Sequence, residues 1–208
     1  MSTEQHWLVS ALMDPNVTVT SRSLFSLRRQ CLDVAASAAV SLDLWERDED
    51  TKFAGWYPQA FMRGSVAFVM SAFAMEAAIN EAATILEIDA DARRELEAES
   101  NPLNRADVLA MKCGFPKISQ GTKTGQHAAL LYKIRNAFAH GKSEWSNEEK
   151  THAALSNKIL SLKLPLSRFM LPQERAFPIG CMSGRMANWA VDTAENYITE
   201  YYSAAGIS

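Results

Sequence analysis

Residues 130–142 read LLYKIRNAFAHGK. Leu130, Leu131, Ile134, Ala137 and Phe138 recur at the three- and four-residue steps of one helical face, so that face is expected to be buried. Gly141 ends the helix, because glycine takes the left-handed conformation past a last turn without steric cost, and turn-formers follow from Ser143 to Asn147. At about 100° per residue from Ile134, the apolar positions span roughly −60° to +60° and Arg135 falls near +100°. Tyr132, Asn136, Ala139 and His140 lie on the far side. With the apolar face spent on the core, a guanidinium, an amide and an imidazole share a free face with a small residue that lets another surface come close. An exposed helix carries such residues for solubility as well, and a terminal histidine is favoured by the helix macrodipole in any case.

The rest of the chain predicts helices around this one. A short helix over Glu4 to Met13 is stopped by Asp14-Pro15-Asn16. The next runs from a Thr20 or Ser21 cap to about Trp45, with Leu24, Leu27, Cys31, Val34, Ala38, Leu42 and Trp45 inward, and the acidic cluster Glu46 to Asp50 reads as a solvated loop. From about Gln59 to Glu87, with Pro58 in its first turn, the pattern is apolar nearly all round, as expected of a central helix contacted on several sides. Glu76 and Asn80 share a face of that helix one turn apart. A carboxylate there calls for a cation, for which Arg135 is the natural candidate, or else it points out of the bundle.

Asp89 to Ser100 reads as a surface turn and helical segment, and Asn101-Pro102 starts a short helix that Gly114-Phe115-Pro116 breaks. Lys117 to Gly125 is a loop whose GTKTG lacks the spacing of a phosphate loop. Trp145 to Leu164 is a further helix, Pro165 to Gly180 an irregular connection, and Cys181 to Ser203 the last helix. Its inward stripe is Met182, Met186, Trp189, Ala190, Thr193, Ala194, Tyr197, Ile198 and Tyr201. No period-two pattern and no internal repeat occur. The expected fold is all-α: an antiparallel bundle of four to five main helices with short accessory helices, forming one domain over residues 21–208 behind an N-terminal extension of residues 1–20.

Composition narrows the function. With 208 residues, 48% hydrophobic and 22% charged, the chain suits a single globular domain. Its three cysteines stand far apart and read as buried small hydrophobes, and its four histidines have no ligand spacing, so no metal and no cofactor are called for. The N-terminus lacks a basic start and a long apolar run, and Val66 to Met75 is far shorter than the about 20 residues that cross a bilayer, so a cytoplasmic protein away from membranes is expected. The net charge is −3, yet Val108 to Ser143 contains no Asp or Glu while Lys112, Lys117, Lys123, Lys133, Arg135 and Lys142 lie within it. Segregated positive charge beside the free face suits a phosphate backbone, with Lys112, Lys133 and Lys142 as RNA-contacting candidates.

The run Arg135-Asn136-Ala137-Phe138-Ala139-His140 resembles the R-x4-6-H signature, with Asn directly after Arg, of the higher eukaryote and prokaryote nucleotide-binding (HEPN) domains. The Ala-rich stretch Ala67 to Leu86, with FAMEAAINEAA inside it, is similar to the helix that precedes the motif in that family. In helix order the likeness extends over roughly Ser21 to Ser203, but only these two stretches are specific. It implies a metal-independent endoribonuclease acting on RNA as a homodimer, with Arg135, Asn136 and His140 catalytic and Glu76 and Asn80 in support. It also implies a toxin or phage-defence role with an antitoxin or other defence partner. Where some toxins of the family carry a tyrosine two residues after the histidine, modified by a partner nucleotidyltransferase, this chain has Lys142, so control by that route is not expected. The competing expectation is a non-catalytic dimerisation or RNA- or nucleotide-binding module, in which the same three residues form a structural hydrogen-bond network.

Overall fold

The computed structural model describes residues 26–47, 56–139, 145–170 and 174–207. Seven helices, and no strand, occur among them: α1 (Leu27–Arg47), α2 (Trp56–Ile85), α3 (Ala90–Ala98), α4 (Pro102–Cys113), α5 (Lys123–Ala139), α6 (Trp145–Ser161) and α7 (Gly184–Ala205). A turn of 3-10 helix at Ile179–Cys181 leads into α7. The protein is all-α, with α3 and α4 as the short accessory helices. The expected helix over Glu4 to Met13 and the Thr20 or Ser21 cap lie outside the described residues, as do Leu24, Asp48 to Asp50, His140 and Lys142.

The central helix is α2. It is long and apolar enough to cross a membrane, but 61% of its most apolar window is buried inside the bundle. Three helices lie along it. Arg63 donates from Nε to Ser41 Oγ at 3.0 Å while Arg28 bonds Glu81, so α1 runs antiparallel to α2. Phe61 and Phe68 meet Phe138, and Tyr132 reaches the Ala72 carbonyl, so α5 is antiparallel as well. Phe68 meets Trp189 and Tyr202 reaches Ala78, so α7 runs parallel to α2. Every residue of the expected α7 stripe is buried, because one wide face of that helix meets its neighbours.

On α1 the buried stripe is Cys31, Ala35, Ala39, Leu42 and Glu46, rotated from the expected one: Leu27 and Val34 are exposed. The reason is close approach. A Cβ placed on Gly184 would overlap Asp43, so α1 and the start of α7 nearly touch and small side chains fill the seam. A second correction concerns Tyr132, expected on the free face but only 6% exposed. Two helices, α2 and α7, cover α5, which widens its buried arc. A third is Cys113, which is exposed, whereas Cys31 and Cys181 are buried as expected.

The fourth correction is Glu46, expected in a solvated loop but 6% exposed within α1. Its Oε2 accepts the Gly184 N–H at 2.9 Å and its Oε1 accepts the Ser167 hydroxyl at 3.3 Å. Arg168 donates to its main-chain carbonyl. The carboxylate therefore sits at the positive end of α7, where first-turn N–H groups lack helical partners, beside the Ser183 cap that accepts the Met186 N–H. Elsewhere α4 begins and ends as expected, with Asn101 capping Leu103 N–H and Gly114 at φ 75°. Glu46→Ala strands the Gly184 N–H in a buried seam and is expected to cost about 2 kcal/mol. In a protein of this size that lowers Tm by roughly 4–8 °C in a circular-dichroism melt; an unchanged Tm would show that the contact does not hold α7.

Candidate functional site

Along α5 the apolar side is committed to α2 and α7, and the remaining side opens onto a cavity of about 540 Å³. Its walls come from three helices and from Gln120 in the loop before α5. From α5 come Tyr132, Lys133, Arg135 and Asn136, from α2 Glu76, and from the start of α4 Asn101 and its neighbours. The packing of α5 against α2 sets the position of Arg135, whose guanidinium carbon lies 5.0 Å from the centre of the Phe73 ring. A cation over an aromatic face is attracted by the ring quadrupole. The Arg135 Nη1–H donates to Asn136 Oδ1 at 2.9 Å, while its Nε is buried with no partner among the described residues. The Asn136 amide nitrogen is thereby left turned from the guanidinium as a donor.

Glu76 lines the same cavity, but its nearest cation is Arg105, with Oε1 to Nη1 at 4.0 Å. Both groups are partly exposed, so this pair contributes little to stability. Arg105 is anchored from behind by its Nε–H, which donates to the Glu99 carbonyl at 2.6 Å. The buried Tyr132 hydroxyl donates to the Ala72 carbonyl at 3.3 Å. Burial, and next the Glu76 charge, hold that phenol well above its usual range, so it is a neutral donor and no base. The cavity thus presents one guanidinium, Arg135, and one ammonium, Lys133, against one carboxylate that Arg105 meets from outside the lining, an arrangement that suits an anionic ligand with several acceptor oxygens.

Of the expected site residues, Arg135, Asn136, Lys133 and Glu76 come together. Asn80 is exposed one turn further along α2 and does not line the cavity. Lys112 is elsewhere, on the side of α4 that faces α3, where its ammonium bonds Glu95 at 2.8 Å. His140 and Lys142 fall outside the described residues. Arg105 was not anticipated, and no sequence signal pointed to it, because its approach to Glu76 depends on how α4 folds back onto α2. Among the described residues no three His, Cys, Asp or Glu side chains gather as metal ligands.

Tyr132→Phe removes a buried hydrogen bond and keeps the ring. It is expected to lower the denaturant-measured stability by about 1 kcal/mol, and a stability unchanged within error would mean that the hydroxyl contributes nothing to the docking of α5. The chain matches no protein-family model, no curated protein and no solved structure.

Proposed function

We propose that this protein is a metal-independent endoribonuclease of the HEPN type, working in the cytoplasm as a homodimer in toxin or phage-defence biology. The observation that carries the reading is the placement of Arg135 on the Phe73 ring at a cavity that also holds Lys133, Asn136 and Glu76. His140 follows Ala139, the last residue of α5, by one position in sequence.

The chemistry follows from the residue types. An imidazole with a near-neutral pKa takes the proton of a ribose 2′-hydroxyl or gives one to the leaving 5′-oxygen. The 2′-oxygen attacks phosphorus, the bond to the 5′-oxygen breaks, and the products end in a 2′,3′-cyclic phosphate and a 5′-hydroxyl. Arg135 forks onto the phosphate oxygens as charge builds there. Acid and base together need two imidazoles, which a two-fold pair of chains supplies. Met62, Val66 and Phe73 support such a pairing: they are exposed apolar residues on one face of α2, leading up to Arg135.

One observation favours the non-catalytic reading, in which the bundle is a dimerisation or RNA-binding module. Arg135 is already engaged inside its own chain, by Asn136 and by Phe73. Incubation of purified protein with mixed RNA in EDTA separates the two. The nuclease reading expects cyclic-phosphate ends, and a loss of at least about 100-fold in cleavage on His140→Ala or Arg135→Ala. No cleavage by any form, with dimerisation weakened by His140→Ala in sedimentation, would replace it with the structural role.

A further inference from the structure

A second cavity, of about 620 Å³, lies between the start of α5 and the outward face of α7. It shares no lining residue with the Arg135 cavity. Lys123 and His127 come from α5, and Asp192, Thr193, Asn196 and Glu200 from α7. Three features point to a ligand. Thr193 is only 4% exposed, and its hydroxyl has no partner among the described residues, a state that folded chains rarely keep. His127 Nδ1 accepts the Trp189 indole N–H at 3.1 Å, so the neutral ring carries its proton on Nε2 and has a donor left over. Burial, and then Lys123, favour that neutral ring. Finally, neither Asp192 nor Glu200 has an ion-pair partner among the described residues, although Lys123 lines the same cavity.

Two carboxylates against one ammonium disfavour phosphate. They ask for a ligand with adjacent hydrogen-bond donors on one edge and acceptors on the next. Of the common bases, guanine alone has this pattern, with N1–H and N2–H side by side and O6 and N7 beside them. Adenine and cytosine set an amino group next to an acceptor, and uracil sets one N–H between two acceptors. We propose that this cavity is a guanine-binding site, in which Asp192 accepts the N1–H and N2–H edge and Lys123 and His127 donate to O6 and N7. Asn196 and Glu200, one and two turns further along the same face of α7, provide acceptors for ribose hydroxyls. The base comes either as a free nucleoside or nucleotide or as a guanine within an RNA strand.

Equilibrium dialysis of the full chain with guanosine, inosine and adenosine tests the site, and needs no cleavage, so it stands or falls separately from the nuclease reading. Guanosine is expected to bind saturably and at least about tenfold tighter than adenosine, with inosine, which lacks the N2 amino group, between them. Asp192 is exposed, so Asp192→Asn should fold as the parent does in a melt, and it should abolish the guanosine preference. A guanine-containing oligoribonucleotide binding at least tenfold tighter than guanosine assigns the site to a strand, and equal binding assigns it to the free nucleoside or nucleotide. Absence of saturable guanosine binding, equal binding of adenosine, or an Asp192→Asn protein with its preference intact would overturn the proposal.

Discussion

A helix of thirty residues that is apolar on nearly every side has to be covered on nearly every side, and α2 is that helix. Ala67, Phe68, Ala72, Ala74, Met75 and Ala78 are all fully buried along it. Its many small side chains let neighbours come close, so α1, α5 and α7 each dock along its length, with α7 packed against both α1 and α5. Phe68 joins these contacts, touching Phe138 of α5 on one side and Trp189 of α7 on another. The positions of Arg135 and His127 are set by this covering. Arg135 stands over Phe73 because α5 is locked alongside α2, and His127 meets Trp189 because α5 also packs against α7.

The covering also decides which charges matter. Glu46 is held at the start of α7 by groups more than a hundred residues away in sequence, and it aligns the N-terminal turn of the helix that completes the bundle. Lys112 satisfies Glu95 across the α3 and α4 pair and leaves the positive side of the Arg135 cavity to Lys133 and Arg135. The acid-free segment is therefore divided in space. Part of its charge is spent on local pairing, part faces the first cavity, and Lys123 faces the second.

Helix by helix, legibility in the sequence follows the number of neighbours. The inward stripe of α7 is readable from Met182 to Tyr201, because one wide face is buried and its opposite is polar. On α1 the strongest apolar residues mislead: Val34 and Leu27 are exposed, and the seam is filled by alanines that carry little hydrophobic signal. Tyr132 looks polar by its hydroxyl, but it is buried because α2 and α7 both cover α5 and the hydroxyl finds the Ala72 carbonyl on α2. Glu46 is indistinguishable in sequence from the acids that follow it. For the site, helical spacing puts Arg135 and Asn136 on one side of α5 and the acid-free segment singles out Lys133, but the expected pairing of Glu76 with Arg135 gives way to one with Arg105. Arg105 and the Lys112–Glu95 pair are not legible, since they depend on how α3 and α4 fold back, which no periodicity encodes.

The account rests most heavily on the Arg135 cavity being the surface that takes an RNA backbone. Hydrogen–deuterium exchange, with and without a guanine-free strand whose 2′-hydroxyls are replaced by hydrogen to block cleavage, reads this directly. Slowed exchange in the second half of α5 and at the start of α4, with the first turn of α5 unchanged, is the result the account predicts. Protection confined to another surface, or none at strand concentrations that saturate binding, would contradict it.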